Sequence, residues 1–171
     1  MVLGKGDMVM IKRFIAMVTI LMVSSLAAYV KAEDLKRDNP YGTSGVSHIG
    51  LTVSKLDETA QFFTQTLGWR PAGGRADYPA KFVTNGVIFL TLWQATDPKS
   101  AVAFNRKTNV GLHHLAIQVA TLEQLNGLYE KLQKTPNVEI EFGPEFMGSG
   151  PTTHMMIRDP SGLRLEFIVH L

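Results

Sequence analysis

LHHLAIQV at residues 112–119 restarts a pattern first written as VSHIGLTV at residues 46–53. In both runs apolar residues alternate with polar or small ones, the period of a strand with one buried face. A stretch of helical periodicity follows each. The first is LDETAQFFTQTLG (56–68), stopped by Gly68; the second is TLEQLNGLYEKLQK (121–134), in which Leu125, Leu128 and Leu132 share a face and Thr121 is placed to cap the N-terminus. Three further strand candidates complete each half. They are WRPAG (69–73), AKFVT (80–84) and VIFLTLW (87–93), with Asn85 and Gly86 marking a tight turn, and then VEIEF (138–142), THMMIR (153–158) and LRLEFIV (163–169), the last two joined by the turn-forming run Asp159 to Gly162.

A strand, a helix and three strands therefore occur twice, over about 46–95 and 111–171, separated by the polar, aperiodic connection QATDPKSAVAFNRKTNVG (94–111). Neither half is large enough to bury a core alone. The expected architecture is α+β, a single domain of two packed βαβββ modules whose curved mixed sheets form a cleft. FGPEFMGSGPTTH (142–154) is expected to be a shaped loop beside the last hairpin, and it lacks the spacing of a phosphate-binding loop.

The segment before the first module reads differently. Lys12 and Arg13 precede an uncharged run from Phe14 to Val30, and Val30 and Ala32 are small residues suited to cleavage after Ala32. Residues 1–32 are expected to be a secretory signal peptide, with an uncleaved anchor as the alternative, and 33–45 a linker. The expected location is periplasmic or secreted, or membrane-anchored facing the periplasm. Loss of the leader would remove Lys5, Lys12, Arg13 and Lys31 against Asp7 and turn the formal charge from +2 to −1. No dense basic stripe remains, so nucleic acid is not an expected partner. After cleavage no stable membrane association is expected either.

The 171 residues are 45% hydrophobic and 19% charged, with no cysteine. Disulfide scaffolds, thiolate zinc sites and cysteine nucleophiles are excluded together. Chemistry must fall to histidine, carboxylates, hydroxyls or a bound ion. Trp69, Trp93, Phe62, Phe63, Phe82, Phe89 and Phe104 read as core or pocket wall; Met147, Met155 and Met156 read as packing that could also line an apolar cleft.

VSHIGLTV, GLHHLAIQV and DPSGLRLEF, in that order and with a repeated helix between, resemble the vicinal oxygen chelate superfamily over residues 46–171. That superfamily includes glyoxalase I, extradiol ring-cleaving dioxygenases, methylmalonyl-CoA epimerase and fosfomycin-resistance enzymes. The resemblance implies a divalent ion in the cleft, Fe2+, Mn2+, Ni2+, Co2+ or Zn2+, with His48, His114 and Glu166 as ligands. Two imidazoles and a carboxylate suit those ions. Strand parity puts His48 with Gly50 and Thr52, His114 with Ala116 and Gln118, and Glu166 with Arg164 and Ile168, while His113 points the other way. At the position of a fourth ligand stands Thr91, a poor donor; Gln94 could serve only after a register slip.

The resemblance implies an exported, metal-dependent, glyoxalase-like lyase or isomerase acting on a small substrate with vicinal oxygens, in which Glu166 or a metal-bound hydroxide moves the proton. An extradiol-type dioxygenase with a His-His-Glu iron site is the alternative, and there His154 is the acid/base candidate. A fosfomycin-type transferase would draw on Arg106, Arg158 and Arg164 as phosphonate-binding cations. A noncatalytic small-molecule binding or sequestration protein is the remaining reading, and it gains if the three ligands lie too far apart to share one ion. One chain could wrap both modules around the site. Alternatively, a homodimer could place His48 on one subunit and His114 with Glu166 on the other.

Overall fold

The computed structural model describes residues 41–170. The leader expected over 1–32 and the first part of the linker lie outside the described residues. Among the described residues no helix is long and apolar enough to cross a membrane. The chain from Val46 onward forms a compact unit.

The first module contains β1 (Ile49–Val53), α1 (Leu56–Gln61), a π-turn (Phe62–Thr66), β2 (Arg70–Arg75), β3 (Ala80–Thr84) and β4 (Phe89–Gln94). The second contains β5 (Leu115–Gln118), α2 (Leu122–Leu132), β6 (Glu139–Phe146), β7 (Thr153–Arg158) and β8 (Arg164–Val169). Each makes a four-stranded mixed sheet of the same topology, ordered β1-β4-β3-β2 and β5-β8-β7-β6. The first strand of each module lies parallel to the last, and the remaining pairs are antiparallel. The expected α+β pair of βαβββ modules is what the chain forms.

Alternation sorts the strands as their sequence requires. Leu51 and Val53 are buried while Gly50 and Thr52 are exposed; Leu115 and Ile117 are buried while Ala116 and Gln118 are exposed. The inward residues of both sheets join Phe62 and Phe63 of the first module and Leu125 and Leu132 of α2 in one apolar cluster. The helix-covered faces of the two sheets thus share a core, and their polar faces are turned away from it.

Polar contacts between modules lie on the helix side. Ser161 Oγ accepts the Lys55 backbone N–H at 3.0 Å and bonds the Thr59 hydroxyl at 2.8 Å. Lys131 Nζ donates to the carbonyl of Thr66 at 2.5 Å and that of Gln65 at 3.3 Å, meeting carbonyls left open at the end of the π-turn.

Local chemistry is visible where the sequence placed it. Thr121 caps α2 by accepting Gln124 N–H at 3.1 Å. Between β3 and β4, Asn85 Oδ1 accepts the N–H groups of Val87 and Ile88, and Gly86 takes a φ of 95° that other residues avoid.

Two elements differ from expectation. The first helix is not uniform: Leu67 N–H reaches back five residues to Phe62 O, and Phe62 and Phe63 are both buried through this wider turn. β6 runs through Phe146, so the first four residues of the expected loop after Phe142 are strand. It manages this with register shifts between Ile140 and Phe142 and between Phe142 and Glu145, which accommodate Pro144.

Candidate functional site

The polar face of the second sheet can be laid out by register. Glu166 on central β8 lies opposite Ala116 of β5 and Met156 of β7. One row earlier, Arg164 pairs with Arg158; one row later, Ile168 lies between Gln118 and His154. Glu166 therefore reaches its partners diagonally. Its Oε2 is 3.1 Å from His114 Nε2, and its Oε1 is 2.5 Å from His154 Nδ1. The small Ala116 beside it leaves room for the imidazole of His114.

Glu166 is only 4% exposed. Among the described residues its ionic neighbours are two imidazoles, neither of which carries a charge in its neutral form. A buried carboxylate so placed calls for a cation, either an imidazolium or a metal ion. The donor set of one carboxylate and imidazole nitrogens suits a borderline divalent ion. His154 is held against Phe142, ring centroids 5.1 Å apart, and this contact helps fix its plane.

His113 does not point away from His114 as strand parity implies. Both precede β5, so parity does not govern them, and their Nδ1 atoms lie 2.8 Å apart. One ring must donate and the other accept. If His114 Nε2 carries a proton toward Glu166, neutral His114 accepts at Nδ1 and His113 donates. If His114 Nε2 is to offer a lone pair to an ion, the proton moves to His114 Nδ1 and His113 accepts. Desolvation, then the charges of His114, Arg164 and Arg106, hold His113 below the usual imidazole range, with Glu141 pulling the other way.

A second charged cluster adjoins this one. Glu141 Oε2 accepts Arg164 Nε–H at 2.8 Å, and its Oε1 lies 2.8 Å from Arg158 Nη2. Burial raises the Glu141 pKa, but the hydrogen bond and charge of Arg164, with Arg158 and Arg106, outweigh it and hold the carboxyl below its ordinary range.

His48 belongs to the other module. It is exposed just before β1, 3.5 Å from Ser47 Oγ, and borders a cavity of about 110 Å³ with Val87, Ile88 and Phe89. The chain thus brings together His114, Glu166 and His154 but leaves His48 apart. Among the described residues no three histidine or acidic side chains are arranged to hold one ion. Thr91 is engaged locally, its hydroxyl accepting Trp93 Nε1–H at 3.0 Å. Gln94 has no slipped register: its amide donates to the carbonyls of Val53 and Ser54. Met155 is in the core, Met156 is buried opposite Glu166 and Met147 is exposed. Sequence reasoning named Arg158 and Arg164 as cations but missed Glu141, which pairs with both, and the contact of His113 with His114. The parity of Arg164 with Glu166 was the one available signal.

A family model described as the Glyoxalase/Bleomycin resistance protein/Dioxygenase superfamily matches residues 45–167. A 2-epi-5-epi-valiolone epimerase from Actinomyces sp. is 28% identical over 149 residues, covering 74% of this chain and 80% of the relative. A glyoxylase/bleomycin resistance protein/dioxygenase domain from Frankia sp. EAN1pec is similar at a TM-score of 0.65 and 27% identity, over 76% of this chain and all of the other. A mutant of the fosfomycin resistance protein FosX from Listeria monocytogenes, complexed with Mn(II) and 1S,2S-dihydroxypropylphosphonic acid, matches with a TM-score of 0.61 at 18% identity, over 75% of this chain and 94% of that one. At that identity the likeness is one of fold.

Proposed function

Because the chain belongs to the Glyoxalase/Bleomycin resistance protein/Dioxygenase superfamily, we propose that it is a divalent-metal-dependent isomerase or lyase acting on a small substrate with vicinal oxygens. The observation that carries this reading is Glu166, buried with a histidine at each carboxylate oxygen and, among the described residues, no fixed positive charge paired to it. The similarity to an epimerase supports proton transfer beside a carbonyl as the reaction class.

His114 and Glu166 would hold the ion from one chain. His48 would complete the set from a second copy, in a homodimer that faces the first sheet of one protomer toward the second sheet of the other. A bound divalent ion supplies Lewis acidity toward vicinal oxygens. The chain's own part is to orient and move protons. His154 Nδ1 secures Glu166 Oε1, His113 sets the tautomer of His114, and Glu166 or His154 Nε2 is the group available to carry a proton.

The placement of His154 also supports a second reading, an extradiol-type dioxygenase that uses it as acid/base. The separation of His48 from the other candidates supports a third, noncatalytic binding or sequestration. Export to the periplasm or beyond is proposed on the leader-like residues 1–32 alone.

The test is elemental analysis of natively purified protein, with His48→Ala, His114→Ala and Glu166→Ala. The proposal expects a bound divalent ion in the parent and its loss in each variant. Subunit exchange between the His48→Ala and Glu166→Ala proteins should restore ion binding at one of the two sites of the mixed dimer. Ion-free parent protein would hand the lead to the binding reading, and failure of restoration would remove the shared site. Turnover assays on cyclic hydroxyketones, methylglyoxal–thiol adducts and catechols then separate isomerase, lyase and dioxygenase.

A further inference from the structure

In the first module a cavity of about 580 Å³ opens between the helical segment and the β2–β3 pair, lined by Ala60, Gln61 and Thr64 on one side and by Gly73, Gly74 and Val83 on the other. Val83 belongs to the shared core, so the cavity lies on the helix-covered side of its sheet. Its volume is that of a small-molecule site. Two features of the chain shape it. β2 has a register shift between Pro71 and Gly73, and the two glycines that follow offer bare backbone where a strand ordinarily carries side chains. None of the three helical residues opposite is aromatic, and the Thr64 hydroxyl is bonded back to the Ala60 carbonyl at 2.9 Å.

The repeat shows what the same place takes elsewhere in the chain. β6 is to the second sheet what β2 is to the first, the strand at the same end of the same order. Against its Gly143, α2 lays the ring of Tyr129, so close that a Cβ would stand 2.9 Å from the ring and 3.1 Å from the phenolic oxygen. The second module thus fills this place with a phenol packed on a glycine. The first has the glycines but receives no ring from its helix. Charge narrows the class of occupant further. Both cations that border the cavity are already paired: Lys81 Nζ lies 2.6 Å from Asp57 Oδ1, tying β3 to α1, and Arg75 donates to Asp77 at 2.5 and 3.1 Å. With those charges balanced, a neutral occupant is the complement.

We propose that this cavity is a binding site for a small neutral aromatic molecule of the monocyclic phenol class, whose ring packs on Gly73 and Gly74 as Tyr129 packs on Gly143. The site is separate from the cluster around Glu166 and independent of the reaction assigned to that cluster. A ligand seated there touches the helical segment, β2 and β3 at once, so it stabilises the folded first module.

The test is a titration of p-cresol, the tyrosine side chain as a free molecule, into the full-length 15N-labelled protein. Saturable amide shifts are expected at Thr64, Gly73 and Gly74, with a Kd of about 1 mM or tighter for a ligand of this size. Thr64→Tyr supplies a ring from the helical side and should weaken binding about tenfold or more. Gln61→Trp, at an exposed position, should do the same and keeps the test decisive if Thr64→Tyr does not fold. Tyr129→Ala empties the corresponding place in the second module and should add a second site, read as new shifts at Gly143. Cyclohexanol, a hydroxyl without a flat ring, and benzoate, a ring with a charge, should each bind more weakly than p-cresol. The proposal is overturned if the shifts do not saturate or miss Gly73 and Gly74, or if the ring-bearing variants bind like the parent. It is equally overturned if Tyr129→Ala gains no second site, or if cyclohexanol or benzoate binds as tightly as p-cresol.

Discussion

His154 Nδ1 and Glu166 Oε1 lie 2.5 Å apart across neighbouring strands, one register row out of line. The contact fixes one carboxylate oxygen and leaves the other facing His114 at 3.1 Å. Replacing His154 by Leu would leave a buried carboxylate oxygen without its donor. A loss of about 1.5–3 kcal/mol is expected, the range for hydrogen bonds to charged groups. His154→Asn, whose amide nitrogen occupies nearly the place of Nδ1, should recover much of it. Urea denaturation of the three proteins decides the matter, and equal stabilities would mean that the contact contributes nothing.

The turn after β7 gives a pH-dependent prediction. Asp159 is 2% exposed, and burial lifts its carboxyl to about 6 despite N–H groups of Leu163 and Ser161 that donate to Oδ1. Among the described residues its Oδ2 has no hydrogen-bond partner. The folded chain then holds this proton more tightly than the unfolded chain does, so its stabilising contribution is complete below about pH 4 and is lost as pH rises toward 6. The difference corresponds to roughly 3 kcal/mol at 1.36 kcal/mol per pH unit. Asp159→Asn keeps an acceptor for both amides and does not titrate. Relative to the parent it should gain about that much stability between pH 4 and pH 7, read from denaturant midpoints; parallel profiles would refute the buried-acid account.

Two glycines separate backbone from side-chain crowding. A Cβ on Gly74 would stand 2.5 Å from the Ala80 carbonyl oxygen, inside the β2–β3 pair, where neither strand can yield alone. A Cβ on Gly143 would meet the Tyr129 ring at 2.9 Å, and a ring on α2 can tilt. Gly74→Ala should therefore cost more than Gly143→Ala, with the latter near the 1–3 kcal/mol of an overpacked core. Tyr129→Ala should relieve Gly143→Ala in a double-mutant cycle while leaving Gly74→Ala unrelieved. Thermal melts of the parent and the five variants provide the check.

The repeat was legible because its two copies, VSHIGLTV and LHHLAIQV, carry the same alternation ahead of the same helical spacing. Parity then placed Gly50 and Thr52 outward and Arg164 beside Glu166 without reference to any neighbour. What escaped the sequence depends on partners that spacing does not encode. Glu141 reaches Arg164 across 23 residues, and β6 reaches it only after a register shift. The pairing of His113 with His114 arises because β5 begins only at Leu115, three residues into the LHHLAIQV run. The distance of His48 from Glu166 follows from the modules joining through their helices, a choice made by tertiary packing of Phe62, Phe63, Leu125 and Leu132.

That junction is also where a local rule is satisfied from afar. Lys55 stands at the N-terminus of α1 with no side chain of its own helix to accept the exposed N–H groups. Ser161, 106 residues later in the turn held by Asp159, accepts Lys55 N–H and bonds Thr59 Oγ1. Ser161→Ala should cost about 1 kcal/mol, the usual value of a lost N-cap. The same hydroxyl binds both modules, so Ser161→Ala and Thr59→Ala should not add: the double variant should lose less than the sum by about 0.5 kcal/mol or more. Hydrogen exchange at the first turn of α1 supplies an independent reading, faster in Ser161→Ala and unchanged in α2, which Thr121 caps locally. Additive losses, or equal acceleration in both helices, would show that Ser161 acts on overall stability and not as a cap donated by the other module.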